Sequence, residues 1–249
     1  MPKNEPLEPP QTSGGDHAIA IARLVVSAIP YAGGPSAEVL GMVDGPYERR
    51  LKRFLADVAG RINALEQAAP DRVAALANDE TFVSVFLAAS QSALRASTDA
   101  KRRLLGSAVE HSAAGSGIGG EMQQVFIRYV DELTTSHVAL LQFIAANDEA
   151  FGRMKSYAAM YKCALGGALV GCTEEEFDLM CTDLVGRRLL QISGAVERFP
   201  HVAEAEYIAT EGYQEGVLVR VTDIGRAFLE FVNEPPVGDV PDGPGRPAR

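Results

Sequence analysis

Apolar residues recur at helical spacing through most of the first 160 positions. Leu51, Phe54, Leu55, Val58, Ile62 and Leu65 advance mainly by threes and fours, the pattern of one buried helical face. Arg49, Arg53, Asp57 and Arg61 form a separate row at steps of four, expected toward solvent. Pro70 interrupts this helix. Asp79 is placed to cap a second, carrying Phe82, Val83, Phe86, Leu87 and Leu94. A third is expected over Asp99 to Ser112, ending at AAGSGIGG. Glu121 to Leu133 and Ser136 to Ala146 read as an antiparallel pair joined at Thr134-Thr135. The second of the pair is apolar on most sides, through Val138, Leu140, Leu141, Phe143 and Ile144, which puts it at the centre of a bundle. Asn147 is placed to cap one more helix, running to about Lys162.

The pattern changes near Gly166. Thr173-Glu-Glu-Glu176 has the form of a capping box, opening a helix with Phe177, Leu179, Met180, Leu184 and Val185. Period-two segments follow at Leu189–Ser193 and Val217–Val221, separated by a long stretch in which Tyr207-Ile208 can add a short strand. Thr222 then caps a last helix, Asp223–Val232. The fold class expected is mainly α: an N-terminal helical bundle and a small α+β C-terminal module. The domains are a disordered arm at 1–15, a helical domain at 16–162, the module at 166–232, and a proline-rich disordered tail at 233–249.

The helix, helix, strand, loop, strand, helix order, with its VRVTDIGRAFLEFV ending, resembles bacterial winged-helix domains over about 60 residues. The N-terminal part carries a second resemblance. SAIPYAGGPSAEVLGMV followed by YERRLKRFLADVAGRI is similar to an uncharacterised family of bacterial helical proteins, through Ile29, Pro30, Gly33, Gly34, Arg49, Arg50, Phe54 and Leu55. That resemblance implies a helical architecture and a prokaryotic origin, and no activity.

The 249 residues are 47% hydrophobic and 22% charged, enough apolar material for a real core. The start, MPKNEPLEPPQTSGG, lacks the basic and apolar regions of a signal peptide. Three cysteines (Cys163, Cys172, Cys181) make no even disulfide framework, so a reducing cytoplasm is the expected compartment. Residues 18–43 approach a membrane span in composition. Pro30, Gly33, Gly34 and Pro35 break them into halves of about 18 Å as helix, too short to cross a bilayer. They read instead as an apolar hairpin.

Chemistry is scarce. Gly115-Ser-Gly-Ile-Gly119-Gly120 satisfies GxGxxG, but a helix rather than a strand precedes it, and position 140 is leucine where an acid is needed. It reads as an interhelical loop, and no cofactor is expected. Cysteines nine apart lie on opposite helical faces and have no nearby histidine, so no metal site is expected. His17 adjoins Asp16, and His111 follows Glu110 at a helix end. His137 lies within reach of Asp131 or Glu132 across a turn, and His201 follows Pro200. Asp131 and Glu132 diverge by about 100° on a helix, which spoils them as an acid–base pair. No catalytic residue is nominated, no small-molecule substrate is evident, and the expectation is a non-enzyme.

Two basic runs remain, Arg49-Arg50-Leu51-Lys52-Arg53 and Lys101-Arg102-Arg103. The first follows the apolar segment directly. Ile29, Pro30, Tyr31, Arg49, Arg50, Lys52 and Arg53 are therefore candidates for contact with a membrane surface or a partner. In the module, residues 163–234 hold 13 acidic and five basic side chains, a net −8 within a chain total of −10. Its helix from about Asp178 to Leu190, the recognition helix if the winged-helix resemblance holds, offers only Arg187 and Arg188, with Arg220 on a strand. Those three are the candidate DNA contacts, but Glu174, Glu175, Glu176, Asp178 and Asp183 would repel a duplex. The expected role is regulatory or protein-interacting, with a protein partner or self-association. DNA binding and peripheral membrane action are the alternatives.

Overall fold

In the computed structural model, the residues described are 45–152, 157–193 and 218–233. The chain is mainly helical and divides into two compact units. Described residues 45–97 and 105–124 belong to the first, and 98–104 with those from 125 onward to the second. The apolar segment 18–43, the arm 1–15, the Tyr207-Ile208 strand and nearly all of the tail lie outside the described residues.

The first unit opens with α1 (Pro46–Ala68), whose proline at the first helical position needs no amide partner. Phe54, Val58 and Ile62 are buried at steps of four, as the periodicity predicts. Pro70 ends α1 by starting α2 (Pro70–Ala75), and a 3₁₀ turn (Leu76–Asn78) follows. Asp79 caps α3 (Glu80–Arg95), its carboxylate accepting from the Phe82 amide at 3.1 Å. Burial would raise this carboxyl, yet the Phe82 amide and the Arg72 guanidinium, 2.9 Å away, hold it below the ordinary aspartate range. Phe82 and Phe86 stack at 5.9 Å in the core that α3 builds against α1.

Thr98 starts α4 (Asp99–Ala114), accepting from the Lys101 amide. Leu105, Ala108, Val109 and Ala113 of α4 are buried. Arg72 donates to the carbonyls of Ser112 and Ala113, satisfying orphan acceptors at the end of α4. The glycine loop follows, with Gly115 and Gly117 in the left-handed region, and α5 (Gly120–Glu132) begins after it.

One expectation in this unit fails. Arg61 does not face solvent with Arg49 and Arg53. Its side chain is 15% exposed, bonding Asp57 at 3.0 Å, Glu110 at 2.7 Å and Ser107 at 3.2 Å. Spacing along one helix cannot show that a neighbouring helix carries an acceptor opposite.

In the second unit α6 (Thr135–Ala146) is the central helix, burying Val138, Leu140, Leu141 and Ile144. Packed on it are α7 (Asp148–Phe151), α8 (Tyr157–Gly167), α9 (Glu174–Gly186), strand β2 (Leu218–Val221) and α10 (Asp223–Val232). Strand β1 (Leu190–Ser193) follows α9 and pairs antiparallel with β2, Leu190 opposite Val221 and Ser193 opposite Leu218. Phe126 packs with Phe228 and Phe231 at 5.5 and 5.8 Å. Both threonine caps form as expected. Thr173 accepts from the Glu176 amide while Glu176 accepts from the Thr173 amide, and Thr222 accepts from the Gly225 amide.

Asn147 does not behave as expected. Its side-chain amide donates back to the Phe143 carbonyl at 2.8 Å, and the helix it precedes is the four-residue α7. Helix α7 ends at Phe151 with Gly152 as its cap, so the helix expected from Asn147 to Lys162 is interrupted there; α8 is described over Tyr157–Gly167.

Candidate interaction face and polar cluster of the second unit

Helix α9 divides its residues sharply. Phe177, Met180, Cys181 and Leu184 are buried, while Glu175, Glu176, Leu179, Thr182 and Gly186 are exposed. Leu179, one of the apolar residues read on this helix, is 62% exposed. Positions 175, 179, 182 and 186 fall one turn apart on one outward stripe. The backbone amide of Thr173 holds the Glu176 carboxyl below its ordinary range, so it stays ionised. Val170, on the turn before α9, is 90% exposed. This outward face is acidic with an apolar residue in it.

The cations expected to reach DNA are placed differently from one another. Arg187 is drawn inward. It donates to Glu132 at 3.1 Å and to the Asp183 carbonyl at 3.2 Å, lies 3.4 Å from the Asp183 carboxylate, and sits over the Tyr129 ring. Arg220 donates to the Gln191 side chain at 2.7 Å across the strand pair. Arg188 alone of the three is exposed with no described residue pairing its guanidinium. Its backbone adopts φ 56°, the left-handed region. The Arg188 amide bonds Val185 and the Leu189 amide bonds Leu184, the paired hydrogen bonds of a Schellman ending.

Behind Arg187 lies a polar cluster that joins three elements. His137, 6% exposed, places Nε2 3.3 Å from Asp183 Oδ2. Its Nδ1 lies 2.7 Å from the Thr134 hydroxyl and accepts from the Thr134 amide at 3.3 Å. Burial lowers the affinity of His137 for a proton, Asp183 partly restores it, and Arg187 and Lys101 oppose it again. The partner expected from the sequence, Asp131 or Glu132, is not the one found. Asp131 gives its carbonyl to Lys101 and Glu132 gives its carboxylate to Arg187. A contact 46 positions away in the chain left no signature at the spacing of a turn.

The other candidates disperse. Ile29, Pro30 and Tyr31 lie outside the described residues. Arg49, Lys52 and Arg53 are exposed on α1, where Tyr47 is 64% exposed. Arg50 stacks on Tyr47 at 5.6 Å and reaches the Leu94 carbonyl. The second basic run is not a basic surface, since Arg102 is buried beside Asp99 and only Arg103 is exposed. His111 bonds the Ser107 carbonyl within its own helix, and His17 and His201 lie outside the described residues. Burial, then the Glu176 carboxylate, pushes the Cys172 thiol above its ordinary range, unfavourable to thiolate chemistry. Among the described residues no three histidine, cysteine or acidic side chains gather as a metal site, and no single helix is long and apolar enough to cross a membrane.

Compared with known protein families, curated proteins and solved structures, the chain matches none.

Proposed function

We propose that this is a non-enzymatic interaction protein of regulatory type, which recognises a protein partner through the outward face of α9. The observation that carries the reading is the exposed Leu179 set among Glu175, Glu176 and Thr182. An apolar anchor ringed by carboxylates suits a partner that offers a small apolar pocket with basic residues at its rim. The same face is poorly made for phosphate. In a winged-helix reading α9 is the helix that would enter the groove and β1–β2 the wing, yet Arg187 is committed to Glu132 and Asp183. A winged-helix module used for protein contact accommodates both the element order and this charge, because fold does not fix function.

A photo-crosslinking residue at position 179 tests this in a native-like bacterial lysate at moderate salt. A discrete protein adduct is expected, and it should vanish when Glu175 and Glu176 are both changed to Gln. Nuclease-sensitive material in place of a protein adduct would overturn the reading. One observation favours a second reading, DNA binding: the exposed Arg188, whose guanidinium pairs with none of the described residues. On that reading retention on immobilised DNA falls steeply as salt rises and is lost in Arg188→Ala, whereas on the protein reading Arg188→Ala leaves the protein adduct unchanged.

A further inference from the structure

The Thr134–His137 arrangement resembles half of a capping box in which histidine stands where glutamate or glutamine is usual. The choice has a chemical consequence. A backbone amide can only donate, so a His137 Nδ1 that accepts from the Thr134 amide carries no proton. The Thr134 hydroxyl then donates to the same nitrogen, and the proton of the neutral ring sits on Nε2, directed at Asp183. Glutamate at this position keeps its acceptor at every pH above its own titration. A histidine loses its acceptor on taking up one proton, within the physiological range.

The geometry points to a proton-operated latch: neutral His137 caps the start of α6 through the Thr134 amide, and protonation of Nδ1 releases that cap while Asp183 retains the ring. The release is one-sided. Asp183 Oδ2 faces Nε2, which is a donor in both ring states, and an imidazolium donates to it more strongly. Thr134 faces Nδ1 with two groups: its hydroxyl can turn and accept from a protonated Nδ1, but its amide can only donate and is left without its acceptor. A cation in the first turn of a helix also opposes the helix dipole.

Burial is the largest influence favouring the neutral ring at rest, and the surrounding charges divide. From α9, Asp183 attracts a proton and Arg187 repels it; from α4, Lys101 repels it. From α5, Glu132 acts on the site through Arg187, and Asp131 offers its carbonyl to Lys101. On the remaining elements packed against α6, Arg226 of α10 pairs with Asp148 of α7, Arg220 of β2 bonds Gln191, and Lys162 of α8 is exposed. Burial outweighs the attraction of Asp183, so the ring is neutral and the latch closed above the ordinary histidine value of 6.5, and it opens on acidification below that value.

Amide exchange and ¹H–¹⁵N spectra of the full chain between pH 7.5 and 5.0 test the latch. In the wild type, the Thr134 amide and the His137 ring should titrate together, with one midpoint below 6.5. Losing a cap should raise exchange of the first-turn amides of α6 about fivefold, after correction for intrinsic rates. In His137→Gln, which keeps an acceptor but does not titrate, that response should be absent. In Asp183→Asn the shared midpoint should move to lower pH. Two distinct midpoints for Thr134 and His137 in the wild type would overturn the proposal, as would a first-turn response that persists in His137→Gln. The wild-type titration alone decides the matter if the glutamine variant does not fold.

Discussion

The tightest junction in the second unit is Gly225 against the turn that leaves α9. A β-carbon at position 225 would lie 2.1 Å from the Leu189 carbonyl oxygen and 2.7 Å from a Val221 methyl. The nearer atom is backbone and cannot rotate away, so Gly225→Ala must push α10 off the β1–β2 pair. Alanine gains about 1 kcal/mol in helix propensity. Against that, forced overpacking costs about 1–3 kcal/mol. The shift also threatens the Thr222 cap on the Gly225 amide, worth about 1 kcal/mol. The Thr222 amide bond to Leu189, worth about as much, is threatened too. The balance is a loss of about 2–4 kcal/mol, or on the order of 10 °C in Tm for a chain of this length. Urea unfolding followed by far-ultraviolet circular dichroism reads it directly, with Gly60→Ala as the control. Gly60 is also a helix-interior glycine, but a β-carbon there meets nothing within 4 Å, so that change should stabilise by about 1 kcal/mol. If Gly225→Ala matches or exceeds the wild type while Gly60→Ala behaves as stated, the close-approach argument is wrong.

Other substitutions test separate links in the reasoning. Arg188→Gly relieves a left-handed backbone strain and should raise the urea midpoint by the equivalent of about 0.5–1 kcal/mol; an unchanged or lower midpoint would count against the Schellman ending. Arg61→Met keeps the packed stem but strands Asp57 and Glu110, and should cost about 2 kcal/mol by the same assay; a neutral result would return Arg61 to the solvent row. Asp79 has a lowered folded-state pKa, so its contribution is present above the ordinary value of 3.8 and is lost as pH falls through the folded value. Thermal melts from pH 5 to 2 should therefore show a steeper acid loss in the wild type than in Asp79→Ala, and parallel curves would refute the assignment.

Most of the local structure was legible in the sequence because its causes are local. The stops at Pro70 and the glycine loop, the caps at Asp79, Thr173 and Thr222, and the buried face of α1 each depend on residues within one or two turns. The two strands were placed to within a residue for the same reason. What was misread depends on distant partners. Arg61 fits a solvent row until Glu110 is brought opposite it, 49 positions away. Which of the apolar residues of α9 faces outward was likewise not legible, because its phase is set by what Phe177, Met180 and Leu184 pack against. The sequence also gave no sign that Asn147 would spend its side chain on the preceding helix.

The four residues Gly186 to Leu189 show how one local choice propagates. Ending α9 in a Schellman pair sends consecutive arginines to opposite fates: Arg187, the cap residue with φ -91° and ψ 4°, lies among Tyr129, Glu132 and Asp183, whereas Arg188, turned left-handed, is delivered to solvent. The same turn fixes the Leu189 carbonyl, which accepts the Thr222 amide and leaves room only for glycine at 225. Arg188 adds its own carbonyl to the Thr222 hydroxyl, so the cap of α10 is anchored on the ending of α9. The charge that the outward face of α9 shows is thus decided by backbone geometry at its end. An alternative ending that freed Arg187 would leave Glu132 and Asp183 without their cation and would turn a face now dominated by Glu175 and Glu176 toward neutrality.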